Sequence, residues 1–313
     1  MPVLGIDTSN YTTSVAVFDG HGGMNAGRLL SVRPGELGLR QSDALFQHVR
    51  QLPELFERLA GENLLHDLEA VGASTRPRAV EGSYMPCFLA GTSQGRNLAS
   101  TLGVPFFAHS HQQGHLAAAA WSAGCLELLD KPFLAWHLSG GTTELLKVEP
   151  EKYTVTAEIV GGTSDISAGQ IMDRTGKLLS LTFPAGKEMD RLSQESDCKD
   201  RFKVKTADLQ FSLSGLENKI AQYREAGHEP ADVAAYAVSS VCDVVVRTTR
   251  DALKQYPDFP VVFSGGVASN SMLRQKTQCL HPIFAEPRFS TDNAMGIAVL
   301  TWLQEGTAPW NET

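Results

Sequence analysis

Phe133-Leu-Ala-Trp-His-Leu-Ser-Gly-Gly-Thr-Thr-Glu-Leu-Leu-Lys-Val148 is the stretch on which the architecture turns. An apolar run from Phe133 to Leu138 meets a small-residue turn, Ser139-Gly140-Gly141-Thr142-Thr143, and a second run follows from Glu144 to Val148. Short β-rich runs bounded by Gly and Ser read as strands joined by a turn. The N-terminus has the same design: Val3 to Asp7, a hydroxyl-rich turn from Thr8 to Thr13, then Ser14 to Asp19. The copies stand about half a chain apart and read as the openings of two duplicated lobes, two unrelated hairpins being the alternative. A third unit runs from Pro260 to Phe263, turns through Ser264-Gly265-Gly266, and enters a helix past Val267, Asn270 and Leu273. Glycines there admit a ligand close to the backbone, and the helix that follows offers it free N–H groups. Three such turns, each leaving a strand, predict an α/β nucleotide-binding protein.

The intervening sequence supplies helices. Ala44 to Ala60 has near-helical apolar spacing that Pro53 interrupts. Further candidates are Cys87 to Leu102, Gln112 to Ala123, Ile166 to Leu181, Asp232 to Leu253 and Asn293 to Gln304, the last capped by Asp292. The expected division is a first lobe over 1–130 with a terminal helix in 292–313 packing back on it, and a second lobe over 131–291. Gln194 to Asp208 reads as an exposed loop. Its Lys199, Arg201, Lys203 and Lys205 suit solvent better than nucleic acid.

Composition narrows the function. The 313 residues carry a net charge of −8 with 42% hydrophobic content, an ordinary globular balance that does not advertise a nucleic-acid surface. No apolar run approaches ~18 residues, so no membrane partner is expected. Five scattered cysteines read as reduced thiols, and with no leader-like N-terminus they place the chain in the cytoplasm.

The sharpest chemistry lies in His109-Ser-His111-Gln-Gln-Gly-His115. Positions i and i+4 share a helix face, so His111 and His115 can address one ion, although exposed or core histidines fit the pattern too. A zinc protease places a glutamate general base directly after the first histidine, where Gln112 stands, so peptidase chemistry is the weakest reading. Asp292 is a helix cap on spacing alone.

As a set, these residues resemble the tRNA N6-adenosine threonylcarbamoyltransferase family (bacterial TsaD, formerly the glycoprotease family). The likeness is carried by Gly5-Ile-Asp-Thr-Ser9, His111-Gln-Gln-Gly-His115, Leu138-Ser-Gly-Gly141, Asp173-Arg-Thr-Gly-Lys-Leu-Leu179, Phe183-Pro-Ala-Gly186, Phe211-Ser-Leu-Ser-Gly-Leu216, Ser264-Gly-Gly-Val-Ala-Ser-Asn270 and Thr291-Asp-Asn293, in family order. It implies the two-lobed fold of actin-like ATPases, sugar kinases and heat-shock chaperones. It implies one divalent metal, iron or zinc by family habit with magnesium an alternative, on His111, His115 and Asp292. It implies ATP or threonylcarbamoyl-adenylate on Ser139, Gly140, Gly141, Asp173, Gly186, Asp190, Gly265, Gly266 and Asn270, with Asp173 and Asp190 on ribose hydroxyls. The implied activity is threonylcarbamoyl transfer to N6 of adenosine 37 in tRNA, with a TsaB-like partner subunit or a homodimer.

The chain departs from the family pattern at Tyr11 and Thr12, where acidic residues are usual, and at Arg76-Pro77-Arg78, where Gly-Pro-Gly is usual. Gln113 replaces a glutamate and Thr142 a histidine. If all faced the ligand cleft, it would be about five charges more positive, with Arg76 and Arg78 as anion contacts. These departures suggest a divergent paralogue with an altered acceptor. A non-catalytic scaffold subunit and a small-molecule kinase or ATPase of the same fold are the competing readings.

Overall fold

The computed structural model describes residues 1–9, 11–32, 39–152 and 154–306. The chain forms two compact units. The first comprises Met1–Lys131, Glu149–Ala157 and the segment from Arg288 onward; the second comprises Pro132–Val148 and Glu158–Pro287.

In the first unit β1 (Val3–Thr8), β2 (Thr12–Phe18) and β3 (Gly23–Leu29) form an antiparallel meander. β4 (Ala70–Arg76) and β5 (Phe106–Ser110) add parallel to it, giving the order β3-β2-β1-β4-β5. β1 and β2 are buried at every residue. That is why Val3 to Ile6 and Val15 to Phe18 run without polar alternation. Leu4 and Ile6 pack toward α1 (Gln41–Gly61) and α2 (Phe88–Leu102), joining Leu52, Leu55, Ala90 and Ala99 in one core. Pro53 does not interrupt α1, contrary to the reading from spacing. It sits on the exposed side between buried Leu52 and Leu55, where water can reach the carbonyl it leaves unbonded. α3 (His111–Ser122) follows β5 directly and opens on a capping box: Gln113 N–H donates to Ser110 Oγ (3.2 Å) and Ser110 N–H to Gln113 Oε1 (2.8 Å).

The second unit opens with β6 (Phe133–Leu138), β7 (Thr143–Glu151) and β8 (Thr154–Thr163). Then come α4 (Ala168–Leu178), α5 (Gly186–Gln194), the short β9 (Thr206–Ala207) and β10 (Gln210–Phe211), α6 (Ser214–Glu225) and α7 (Pro230–Gln255). β11 (Val261–Ser264), α8 (Ser271–Thr277) and β12 (Ile283–Phe284) complete it. Its sheet runs β12-β11-β6-β7-β8-β10-β9. Read from β8, the order β8-β7-β6-β11-β12 repeats β3-β2-β1-β4-β5, so the duplication read from two strand-turn-strand units extends through five strands. The Gln194–Asp208 segment is not wholly exposed. Val204 is buried and Phe202 packs on the core, while Lys199, Arg201, Lys203 and Lys205 face solvent. The Phe211–Leu216 motif is organised by Asp165, whose carboxylate accepts from Ser212 Oγ and from the Leu213 and Ser214 N–H groups at the start of α6. Burial would raise the Asp165 carboxyl, but these bonds outweigh it and hold it well below the usual range.

α9 (Met295–Glu305) returns to the first unit, against the face of β1 and β4 opposite α1 and α2. It approaches through glycines. A Cβ on Gly5 would lie 2.5 Å from Ala298 N, one on Gly72 would strike Thr301 Oγ1, and one on Gly296 would fall on the Gly114 carbonyl oxygen in α3. Asp292 does not cap this helix: α9 begins at Met295, and Met295 N–H bonds to Asn293 Oδ1 (3.1 Å). The rest of the expected terminal helix, 307–313, lies outside the described residues. No described helix is long and apolar enough to cross a membrane.

The α3–α9 contact predicts that Gly296→Ala destabilises the protein by about 1–3 kcal/mol in urea unfolding, because backbone must move. Gly61→Ala, where the added carbon meets nothing within 4 Å, serves as the unaffected control. A second expectation concerns His48, fully buried on α1 with Nδ1 2.7 Å from Thr13 Oγ1. Burial lowers its pKa below the ordinary 6.5. The unfolded chain therefore takes up a proton that the folded chain refuses, and stability falls as pH drops below about 6.5. The urea midpoint of His48→Asn will fall less between about pH 7 and pH 5 than that of the parent chain.

Candidate functional site

Ser110 and Gln113 lock the first turn of α3, which starts at His111 and carries His115 one turn on. Both rings turn Nε2 toward the same point. Their Nε2 atoms are 2.9 Å apart, and Asp292 Oδ1 lies 3.5 Å from the first and 3.4 Å from the second. Two ring nitrogens approach this closely only with a proton or a cation between them. Donors bound to one tetrahedral ion at ~2.0–2.2 Å stand roughly 3.3–3.5 Å from each other; both Asp292 distances match this, and the two Nε2 atoms need only part by a few tenths of an ångström to admit such an ion. Asp292 reaches this point because the backbone contact between Gly296 and Gly114 draws the start of α9 onto α3.

The electrostatics favour positive charge here. Burial would lower the pKa of His111, but the charge of Asp7 and the bonds to Asp292 and Asp7 outweigh it and raise the group to about 10. Burial would raise the Asp292 carboxyl, but bonds to His111 and His115 hold it well below the usual range. Asp7 is fully buried, and its Oδ1 lies 3.1 Å from His111 Nδ1. The family motif included Asp7 without giving it a role; the signal was an acid ending an otherwise apolar strand. Cys87 is buried nearby, and burial raises its thiol to about 11, which makes it inert.

The second unit contains a cavity of about 450 Å³. It gathers Gly140, Asp173, Gly186, Asp190, Gly266 and Asn270 of the expected ligand residues. Pro184, Val267 and Ser269 of the quoted motifs also line it, as do Gly169, Met172 and Lys187, which lie outside those motifs. A Cβ on Gly140, Gly186 or Gly266 would meet no protein atom within 4 Å, so these glycines keep space open rather than relieve packing. α5 starts without a side-chain cap, leaving its first N–H groups for a ligand. Ser139, Gly141 and Gly265 do not line the cavity. Ser139 Oγ instead closes its own turn by accepting from Thr142 N–H (3.0 Å). Gly265 has φ +91° and no room for a Cβ beside the Leu138 carbonyl, so its glycine is a backbone requirement.

The two aspartates already have protein partners. Asp173 Oδ1 accepts from Ala185 N–H (2.8 Å). Asp190 accepts from Asn270 Nδ2 (2.8 Å), Ser271 Oγ (2.8 Å) and Ser271 N–H. Asp190 thus anchors Asn270, whose own Oδ1 caps α8 through Leu273 N–H (3.0 Å).

The expected five-charge change is not reached. Gln113 is buried, ties the α3 cap, and donates from Nε2 to the Val155 carbonyl (2.8 Å), while Thr12 is buried within β2. Tyr11 and Arg76 are exposed and Arg78 is half-buried, its N–H bonded to Ser83 Oγ (3.0 Å).

Residues 38–299 match the family model described as "TsaD: tRNA N6-adenosine threonylcarbamoyltransferase". The tRNA N6-adenosine threonylcarbamoyltransferase of Streptococcus pneumoniae (strain CGSP14) is 31% identical over 331 residues, covering 99% of this chain and 95% of the relative. That of Ralstonia pickettii (strain 12J) is 31% identical over 323 residues, covering 95% and 90%. Among solved structures, full-length HypF in its phosphate- and nucleotide-bound form aligns with a TM-score of 0.60 at 15% identity, covering 95% of this chain and 55% of HypF. The ROK hexokinase of Thermus thermophilus aligns at 0.55 and 15% identity, covering 98% and 100%. These structures share the fold, that of actin-like ATPases and sugar kinases. On a family match spanning most of its length, and on relatives similar from end to end, the chain belongs to the tRNA N6-adenosine threonylcarbamoyltransferase family.

Proposed function

We propose that this protein transfers a threonylcarbamoyl group from threonylcarbamoyl-adenylate to N6 of adenosine 37 in tRNA, with one divalent ion, iron or zinc, on His111, His115 and Asp292. The convergence of His111 Nε2, His115 Nε2 and Asp292 Oδ1 carries this reading. A pure scaffold has no use for such a donor set. The glycine-lined cavity supports an adenylate ligand, and the structural neighbour HypF is itself described as nucleotide-bound.

An acyl-adenylate is already activated, so the protein needs no nucleophile. Its tasks are orientation and stabilisation of developing negative charge. A bound ion would supply Lewis-acid polarisation of the carbamoyl or phosphate oxygens. The chain's own residues do the rest. The backbone at Gly140, Gly186 and Gly266 admits the ligand closely, Asp190 holds Asn270 in place, and Asp173 fixes the start of α5 through Ala185. tRNA delivery falls to a TsaB-like partner or a second copy of the chain, since four exposed cations in one loop are a small basic surface for a protein of net charge −8.

A second reading keeps the donor site and changes the acceptor. Exposed Tyr11 and Arg76 favour it, because they alter solvent-facing chemistry while the metal and cavity residues stay intact.

Purified protein, supplied with a threonylcarbamoyl-adenylate generator, a family partner subunit and unmodified tRNA, is expected to yield threonylcarbamoyl-adenosine by nucleoside mass spectrometry. His111→Ala should lose metal and activity together, by ~10-fold or more. Adenylate consumption without modified tRNA would support the changed acceptor. Release of free phosphate from ATP alone, unaffected by His111→Ala, would point to an ATPase or kinase.

A further inference from the structure

Asp7 is a buried charge that the transfer chemistry above does not use. It is the penultimate residue of β1 and has no exposed surface. Its Oδ1 receives the Ser74 hydroxyl from neighbouring β4 and lies 3.1 Å from His111 Nδ1. Its Oδ2 is buried and has no hydrogen-bond partner among the described residues. A neutral amide could link β1 to β4 without burying a charge. A carboxylate with an unpartnered buried oxygen costs several kcal/mol unless a cation stands near it. Among the described residues, the imidazole bonded to this carboxylate is that of His111; the His48 ring also feels its charge, but burial disfavours protonation there.

We infer that Asp7 is the positioning residue of the metal centre, holding the His111 ring through Nδ1 so that its Nε2 lone pair faces the ion. This rests on the reading of His111, His115 and Asp292 as metal ligands. An imidazole that binds metal through Nε2 keeps its proton on Nδ1, and an acceptor there sets both tautomer and ring rotation and makes the ligand more basic. Ser74 holds the carboxylate in place, so the chain Ser74–Asp7–His111 runs from the sheet to the ligand. Charge balance agrees: Asp7 and Asp292 together neutralise a divalent ion, and neutral His111 and His115 complete the donor set. The unpartnered Oδ2 remains as an acceptor for a donor that accompanies the ion, such as its bound water.

The test uses the full chain loaded with zinc. Zinc affinity is measured by competition with a chromogenic chelator in the parent protein, Asp7→Asn, Asp7→Ala, Ser74→Ala and His111→Ala. Nitrogen-15 NMR of the histidine rings reports which nitrogen carries the proton. The expected result is a loss of ~10–100-fold in zinc affinity for Asp7→Ala. Asp7→Asn, which keeps shape and loses charge, should lose affinity with its thermal midpoint preserved. The slowly exchanging Nδ1–H of His111 should be present in the parent and lost in Asp7→Ala. Zinc affinity within about twofold of the parent in both Asp7 variants, with the His111 proton unchanged, overturns the inference. If both Asp7 variants fail to fold, Ser74→Ala decides by the same two readouts. If His111→Ala binds zinc as tightly as the parent, the metal reading itself falls, and the inference with it.

Discussion

Gly114 and Gly296 let α3 and α9 touch backbone to backbone, and the candidate metal centre depends on that contact. Gly114 lies between the two histidines, and Gly296 lies four residues beyond Asp292. A side chain at Gly296 would meet the Gly114 carbonyl and push the helices apart by more than a coordination site tolerates, since donors must converge within a few tenths of an ångström. Gly5 and Gly72 extend the same logic to the sheet, which α9 approaches closely enough to bring β1, and with it Asp7, beside His111. The site is thus a product of helix packing, assembled from three segments that are far apart in the chain.

The cavity of the second unit is built differently. Its walls include the β6–β7 turn, the start of α5 and the turn after β11, where Gly140, Gly186 and Gly266 leave space rather than fill it. Around that space, side chains restrain one another: Asp190 holds Asn270, Asn270 caps α8, and Asp173 holds the start of α5. Such a surface presents backbone N–H groups in fixed positions, which suits a ligand recognised by shape and polar contacts more than by charge pairing.

The fold was legible because its signals are local. Strands buried on both faces need apolar runs, and the tight turns between them need Gly, Ser or Thr, so both duplicated openings stand out in the sequence. Errors arose where burial decided the outcome. Pro53 was read as an interruption, yet its exposed position in α1 made it harmless. The charged Gln194–Asp208 segment was read as exposed, yet Phe202 and Val204 anchor it. Gln113 was counted as a charge change near the ligand, yet it is half of a helix cap.

By itself the sequence determined the element types, the duplicated openings, the i, i+4 histidine pair and the family resemblance, all of which depend on residues close in the chain or on their order. Only the tertiary structure decided what Asp292 and Asp7 do. Asp292 has the spacing of a helix cap, and Asp7 that of a buried strand terminus; a carboxylate's role depends on which donors surround it. Those donors, His111 and His115, arrive from a helix more than 100 residues from Asp7 in the chain and about 180 from Asp292. No local pattern encodes such distances. They follow from where glycines allow two helices and a sheet to meet.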